Sequence, residues 1–255
     1  PRESVSGSRF TGYTGEGETV RVGSLETDLC PNTLFTHESL PGLSVAVELG
    51  DDINSIGSPA EYYAIEGATI VAQMASFPAT VSSTADALLG IRYQSKHLAC
   101  GLVLAAPGKG ESSTDNVYSG LCLVAENGEV LAQDEKSGSM AVSEIDVDYL
   151  MNLRRKAGGF DEPDDDMCEA FWGGKLENTE LTRAYSMHPH LPCRPEDVPE
   201  YCERVLDIQV SGLVKRMEYA HLDHCVVGIS GGVDSTLAVM VSAMAVKRMG
   251  LPSTN

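Results

Sequence analysis

The residues with the clearest chemistry run Gly228-Ile229-Ser230-Gly231-Gly232-Val233-Asp234-Ser235-Thr236. Adjacent glycines let a backbone turn sharply and approach a ligand with no Cβ in the way. With a helix starting at Val233, its free N–H groups and those of the glycines converge at the positive end of the helix dipole. Such an arrangement holds a polyphosphate. Ser230 and Ser235 add hydroxyl donors, and Asp234 supplies a carboxylate able to hold Mg²⁺ against phosphate oxygens. Gly228, Ser230, Gly231, Gly232, Val233, Asp234 and Ser235 are therefore the candidate phosphate-binding residues, with Asp234 the candidate metal ligand. No Gly-x₄-Gly-Lys-Ser/Thr occurs, so the loop is not of the Walker type. A glycine turn whose Asp and Ser merely cap a helix could share Ser-Gly-Gly. The full string, set between a strand and an amphipathic helix, is much more specific.

That loop needs a strand before it and a helix after it. Residues 225–229 read as a short buried strand. Residues 233–249 read as a helix with Leu237, Met240, Val241 and Met244 on one face, stopped by Gly250 and Pro252. A preceding helix carries Val198, Tyr201, Val205, Ile208, Leu213 and Met217 on one stripe, with Glu196 and Asp197 where the dipole favours acids. Upstream, 43–49 and 68–74 read as strands, with a short helix over 59–67 closed by Gly67 at C′. Helical spacing follows over 84–99. Residues 100–106 and 120–125 are strand-like, and Glu126-Asn127-Gly128-Glu129 is a hairpin signal. Mixed strands and helices of this kind imply an α/β layered domain. The expected organisation is a first domain over 1–157, a Pro- and acid-rich linker over 158–194, and a second domain from 195 to 255.

Acids outnumber bases 37 to 18, a net charge of −19, which leaves no basic stripe for a nucleic-acid backbone and disfavours anionic membranes. The longest apolar run, 237–246, falls short of the ~18–20 residues a span requires. The seven cysteines (Cys30, Cys100, Cys122, Cys168, Cys193, Cys202, Cys225) are scattered, without a CxxC pair or zinc spacing. Free thiols in a reducing cytoplasm are the simplest reading. The run Asp161 to Asp166 lacks the EF-hand order and reads as solvated linker, and His188 and His190 lack a third ligand. Pro1 is neither an initiator Met nor the start of a signal peptide, so it is not expected to be the biological first residue.

The SGGxDS string resembles the signature of the ATP pyrophosphatase superfamily. That resemblance implies cleavage of ATP between its α- and β-phosphates, an adenylated intermediate, and displacement of AMP by a nitrogen or sulfur nucleophile. Residues 201–213 (Tyr201-Cys202-Glu203-Arg204 onward) and 226–236 are together similar to the start of the synthetase domain of glutamine-dependent NAD synthetases. Gly108-Lys109-Gly110-Glu111-Ser112-Ser113-Thr114-Asp115, Ser119-Gly120, Glu126-Asn127-Gly128, Pro41-Gly42-Leu43 and Gly67-Ala68-Thr69-Ile70 resemble the nitrilase-like half of that family, in the same order. The resemblance implies the C-terminal part of a nitrilase-like α-β-β-α sandwich, followed by the first β-loop-α unit of a Rossmann-like ATP-pyrophosphatase domain. It also implies ATP and Mg²⁺ as cofactors, nicotinic acid adenine dinucleotide and ammonia or glutamine as substrates, and a homo-oligomer.

In the family a Cys nucleophile, a Glu base and a Lys hydrolyse glutamine, and the ammonia reaches the synthetase half. The family's Val-Glu-Ile-Cys-Glu-Asp-Leu-Trp corresponds here to Val47-Glu48-Leu49-Gly50-Asp51-Asp52-Ile53-Asn54. Glycine cannot form an acyl-enzyme, so Gly50 implies a dead amidase and ammonia as the nitrogen source. Gln73-Met74-Ala75-Ser76-Phe77 replaces Asn-Leu-Ser-x-Ser, and Ser83 stands where Arg is expected. Arg2-Glu3 and Arg9-Phe10 resemble the segment after the family's Lys loop, which places that Lys and the Glu before Pro1. Most of the synthetase fold is expected beyond Asn255, so the 255 residues alone are expected to be inactive. Cys30 and Cys100 sit at no strand-to-helix elbow and read as structural rather than as substitute nucleophiles. The alternative function is a non-catalytic nitrilase-like scaffold with a vestigial nucleotide loop. A loop serving a different acceptor fits the acidic charge and the upstream half less well.

Overall fold

The computed structural model describes residues 18–30, 32–50, 52–75, 78–112, 115–135, 140–160, 167–175, 180, 182–188, 190–192 and 194–252. Asp51, Ser76, Phe77, Ser113, Thr114, the acidic run 161–166, Pro189, Cys193 and the Arg2 to Phe10 segment lie outside the described residues. The chain forms two compact units, Pro1–Thr182 and Arg183–Asn255.

In the first unit, β1 (Glu18–Val22) and β2 (Leu25–Leu29) make a separate two-stranded antiparallel ribbon. Strand alternation puts Val20, Val22, Leu25 and Leu29 on one face and Thr19, Arg21, Glu26 and Asp28 on the other. The remaining elements are β3 (Thr33–His37), β4 (Leu40–Gly50), α1 (Pro59–Ile65), β5 (Ile70–Ala75), α2 (Ser83–His97), β6 (Gly101–Ala105), β7 (Cys122–Glu126), β8 (Glu129–Asp134), α3 (Val147–Ala157) and β9 (Cys168–Trp172). Their strands form one sheet in the order β8-β7-β6-β5-β4-β3-β9. β4, β5 and β6 are parallel neighbours linked through α1 and α2, as parallel strands require. β9 also lies parallel to β3, while β3–β4, β6–β7 and β7–β8 are antiparallel.

One face of the sheet presents Val71, Leu102 and Leu104 to Ala60 and Ala64 of α1 and Ile91 of α2, all buried in one cluster. The other face carries Val45, Val47, Leu49, Ile70, Ala72 and Val103 half-buried, with Phe35 and Met74 exposed. Gly67 follows the C-cap of α1 with φ 106°, the left-handed C′ position expected from sequence. Asn127 and Gly128, at φ 46° and 87°, close the β7–β8 turn in the primed conformation that matches strand twist. Neighbouring elements clamp that turn. Ser95 accepts from the Gly128 N–H at 2.8 Å, Arg92 Nε donates to the Gly128 carbonyl at 3.0 Å, and Glu126 accepts from the N–H of Asp146, the α3 cap, at 2.6 Å.

The second unit is two packed helices, α4 (Val198–Tyr219) and α5 (Val233–Arg248). Val210, Val241 and Ala245 are its buried core, flanked by Leu206, Leu213 and Val214. Arg248 reaches across to Asp207 at 2.6 Å and Ser211 at 2.8 Å. Among the described residues no helix is long and apolar enough to cross a membrane.

Five expectations need correction. Residues 225–229 are not a strand and are not buried: Val226 is 92% and Ile229 67% exposed. A strand exists only by pairing, and the described residues of this unit hold no strand to pair with. The packed face of α4 is Leu206, Val210, Leu213, Val214 and Met217, so Val198, Tyr201 and Ile208 of the expected stripe face outward. On α5, Val241 packs but Leu237, Met240 and Met244 are exposed. Finally, β9 lies within the 158–194 stretch expected to be linker, and Cys168 at its start is disulfide-bonded to Cys30 rather than free.

Candidate functional site

The glycine-rich loop folds back on itself through its own hydroxyls. Gly231 takes φ 84°, a conformation that disfavours any side chain, and Gly232 is the extended N-cap of α5. The Gly232 carbonyl accepts from Thr236 N at 3.1 Å, Thr236 Oγ1 at 2.9 Å and Ser235 Oγ at 3.0 Å. Ser235 Oγ in turn accepts from Ser230 N at 3.3 Å and lies 3.3 Å from Ser230 Oγ. Ser235 is thus a brace of the loop as well as a candidate contact. The N–H groups of Val233, Asp234 and Ser235 have no partner within the helix, being in its first turn.

Gly228, Gly231, Gly232, Val233 and Asp234 are all exposed, and Asp234 is the acidic residue of that first turn. No cluster of three or more Asp, Glu, His or Cys able to hold a metal occurs among the described residues. A lone carboxylate suits an ion whose shell is completed by phosphate oxygens and water, which is how Mg²⁺ is usually held, and not a site built from protein alone.

In the first unit, Gly50 ends β4 with φ 69° and stands beside Ala75 of β5. The chain then turns through residues 52–54 into α1. The position is therefore a strand-to-helix elbow with no reactive atom. Directly before it, Glu48 is 1% exposed, and its carboxylate accepts from Ser58 Oγ at 2.6 Å, Ala60 N at 2.7 Å and Gln73 Nε2 at 2.7 Å. Gln73 Nε2 also donates to Gln94 Oε1 at 3.1 Å, and Gln94 Nε2 to the Ile53 carbonyl at 3.2 Å. One buried polar network thus ties β4, β5, α1, α2 and the elbow turn together. Sequence reading singled out neither Glu48 nor Gln94; an acid between Val47 and Leu49 on a strand was the available signal. Ser83 is half-buried, and its described hydroxyl bonds stay within its own turn, with Thr80.

One further residue escaped the sequence. Arg154 of α3 donates to the carbonyls of Ala68 at 2.6 Å, Ala99 at 3.0 Å, Ala64 at 3.3 Å and Leu98 at 3.3 Å, and stacks on Phe160. It caps the C-terminal ends of α1 and α2, where the dipole favours a cation. Burial lowers its pKa, opposed by the nearby Cys100. Cys100 itself is fully buried, and burial pushes its thiol to about 12, only partly offset by Arg154. It is inert, as expected of a structural Cys.

Taken separately, the two units describe a class: an α/β layer with an elbow at a strand end, followed by a glycine-rich loop capping a helix. No family model matches the chain. It is similar to the glutamine-dependent NAD(+) synthetase of Mycobacterium bovis, being 31% identical over 253 residues, 94% of its length. The chain spans 37% of that relative's length. Among solved structures it is similar to Saccharomyces cerevisiae Nit3, of the nitrilase superfamily, at 18% identity and TM-score 0.40, covering 46% of this chain and 42% of that one. It is also similar to a glutamine-dependent NAD(+) synthetase from Cytophaga hutchinsonii at 15% identity and TM-score 0.38, covering 49% and 19%.

Proposed function

We propose that the protein carrying these residues amidates nicotinic acid adenine dinucleotide to NAD⁺ with ATP and Mg²⁺, and takes ammonia rather than glutamine as its nitrogen source. The observation that carries this reading is the match along 94% of the chain, taken together with the glycine-rich string at 228–236 and the glycine at position 50 of this sequence. In the reaction, the N–H groups of Gly231 to Asp234 and the hydroxyl of Ser230 hold the phosphates of ATP, and Asp234 holds the metal. Catalysis comes from stabilising the charge of the leaving pyrophosphate and from positioning. Ser235 keeps Gly232 and Ser230 in place. Gly50 offers no sulfur to attack glutamine.

The apolar second face of the seven-stranded sheet supports a nitrilase-like α-β-β-α sandwich, in which another sheet covers Phe35, Val45, Val47 and Met74. A Rossmann-like ATP-pyrophosphatase unit around the glycine-rich loop belongs to the same proposal, and the exposed Val226 and Ile229 are apolar surface such a unit would cover. A cytoplasmic homo-oligomer, acting on small molecules rather than nucleic acid or membrane, completes the proposal. The test is exchange of labelled pyrophosphate into ATP by the intact protein. Exchange should require the dinucleotide and Mg²⁺ and fall at least about tenfold in Asp234→Asn; exchange unaffected by that change would refute the loop's role.

A further inference from the structure

We propose that Cys30 and Cys168 form a reversible thiol–disulfide latch that fastens β9 and the base of the β1–β2 ribbon to the sheet. The two residues are 138 apart in sequence with Cα atoms 6.5 Å apart, within the range a disulfide spans. Cys30 directly follows β2, and Cys168 opens β9, where its N–H bonds to the Asn32 carbonyl at 2.9 Å. β9 is an edge strand of five residues that, among the described residues, pairs with β3 alone. Beyond that ladder, its described contacts include the edge-on packing of Trp172 against His37 and a 3.3 Å bond from Glu38 N to the Trp172 carbonyl.

A short edge strand held this way opens more readily than the core. A cross-link closing so long a loop removes much of the freedom gained on opening. Both sulfurs belong to half-buried residues, so a small disulfide can reach them, unlike the buried Cys100. The oxidant class is a low-molecular-weight disulfide such as glutathione disulfide. One protein thiolate attacks it, its S–S bond breaks, and a glutathione thiolate leaves and takes up a proton. The second protein thiolate then attacks the mixed disulfide at the first protein sulfur and expels the other glutathione. Two protein thiols are oxidised and one glutathione disulfide is reduced to two thiols.

The intact protein is equilibrated in glutathione buffers from fully reducing to oxidising, quenched in acid, alkylated and peptide-mapped. Cys30 and Cys168 should lose their thiols together as one linked peptide pair, recover them on return to the reducing buffer, and leave Cys100 unmodified. Amide exchange over 168–172 should slow about tenfold or more in the oxidised form. Cys168→Ser should exchange equally fast in both buffers, and Cys30→Ser repeats that comparison independently. Separate glutathione adducts on the two residues, a bridge that glutathione does not reduce, or equal exchange in both states would overturn the latch.

Discussion

Replacing Glu48 by Ala removes the acceptor on which three donors converge, just before the elbow at Gly50. The Ser58 hydroxyl then loses the acceptor for its proton. Ala60 N retains only the Ser58 hydroxyl at 3.3 Å, and Gln73 Nε2 retains Gln94 at 3.1 Å. A hydrogen bond to a charged group is worth about 1.5–3 kcal/mol net, and two of the three losses are partly compensated, so the expected cost is about 2–4 kcal/mol. The intact protein has more than one unit, so the cost is best read locally, by amide hydrogen exchange over 58–75. At about 1.4 kcal/mol per tenfold, exchange there should quicken about 30- to 1000-fold while α4 and α5 are unaffected. Glu48→Gln keeps shape and the carbonyl acceptor for Ser58 and Ala60, and turning the Gln73 amide to accept from the new NH₂ sacrifices only its bond to Gln94, so its effect should stay under about tenfold. Acceleration below threefold in the Ala variant, or equal effects of Ala and Gln, would refute the assignment of this carboxylate as the network's hub.

Arg154→Ala should destabilise the first unit by about 2–4 kcal/mol in urea denaturation, because four carbonyls lose one cationic donor, and Arg154→Lys should recover less than half, since an ammonium lacks the planar fork. Cys100 should resist alkylation at pH 8 while Cys202 and Cys225 react. Its thiol pKa is raised on folding, so its share of stability is complete below about pH 9 and is lost as pH rises toward 12, visible as a falling urea midpoint in that window. Gly128→Ala meets both φ 87° and a new Cβ 3.1 Å from Lys96 Cβ, and should cost about 1–2 kcal/mol by the same denaturation. Ser235→Ala should raise the KM for ATP several-fold more than it lowers kcat, because it loosens the brace; equal losses would instead mark a transition-state contact.

The local code of the first unit was legible because its elements carry their own signals. The Asn127-Gly128 turn, the C′ glycine at Gly67 and the apolar runs of β4 to β7 all lie within three residues of their expected places. What failed depends on partners distant in sequence. β9 has only Ala170, Phe171 and Trp172 as apolar residues and follows a Pro- and acid-rich stretch, and its pairing with β3 across some 130 residues leaves no local mark. The Cys30–Cys168 bond is of the same kind. The α4 stripe was misplaced by part of a turn because Tyr201 and Ile208 are apolar yet face outward, and composition cannot say which of two apolar faces finds a partner. At the site, residue types conveyed the glycine-rich turn before α5 and the glycine that ends β4. The bracing role of Ser235 and the Glu48 network required coordinates.

The most direct test of the whole account is isotopic. The intact protein is given ATP, Mg²⁺, nicotinic acid adenine dinucleotide, ¹⁵N-ammonium and unlabelled glutamine together, and the NAD⁺ formed is weighed by mass spectrometry. The account predicts NAD⁺ whose amide nitrogen is ¹⁵N, with the glutamine left intact. Unlabelled NAD⁺ matched by glutamate release would show a working amidase and contradict the reading of Gly50, and no NAD⁺ at all would contradict the synthetase.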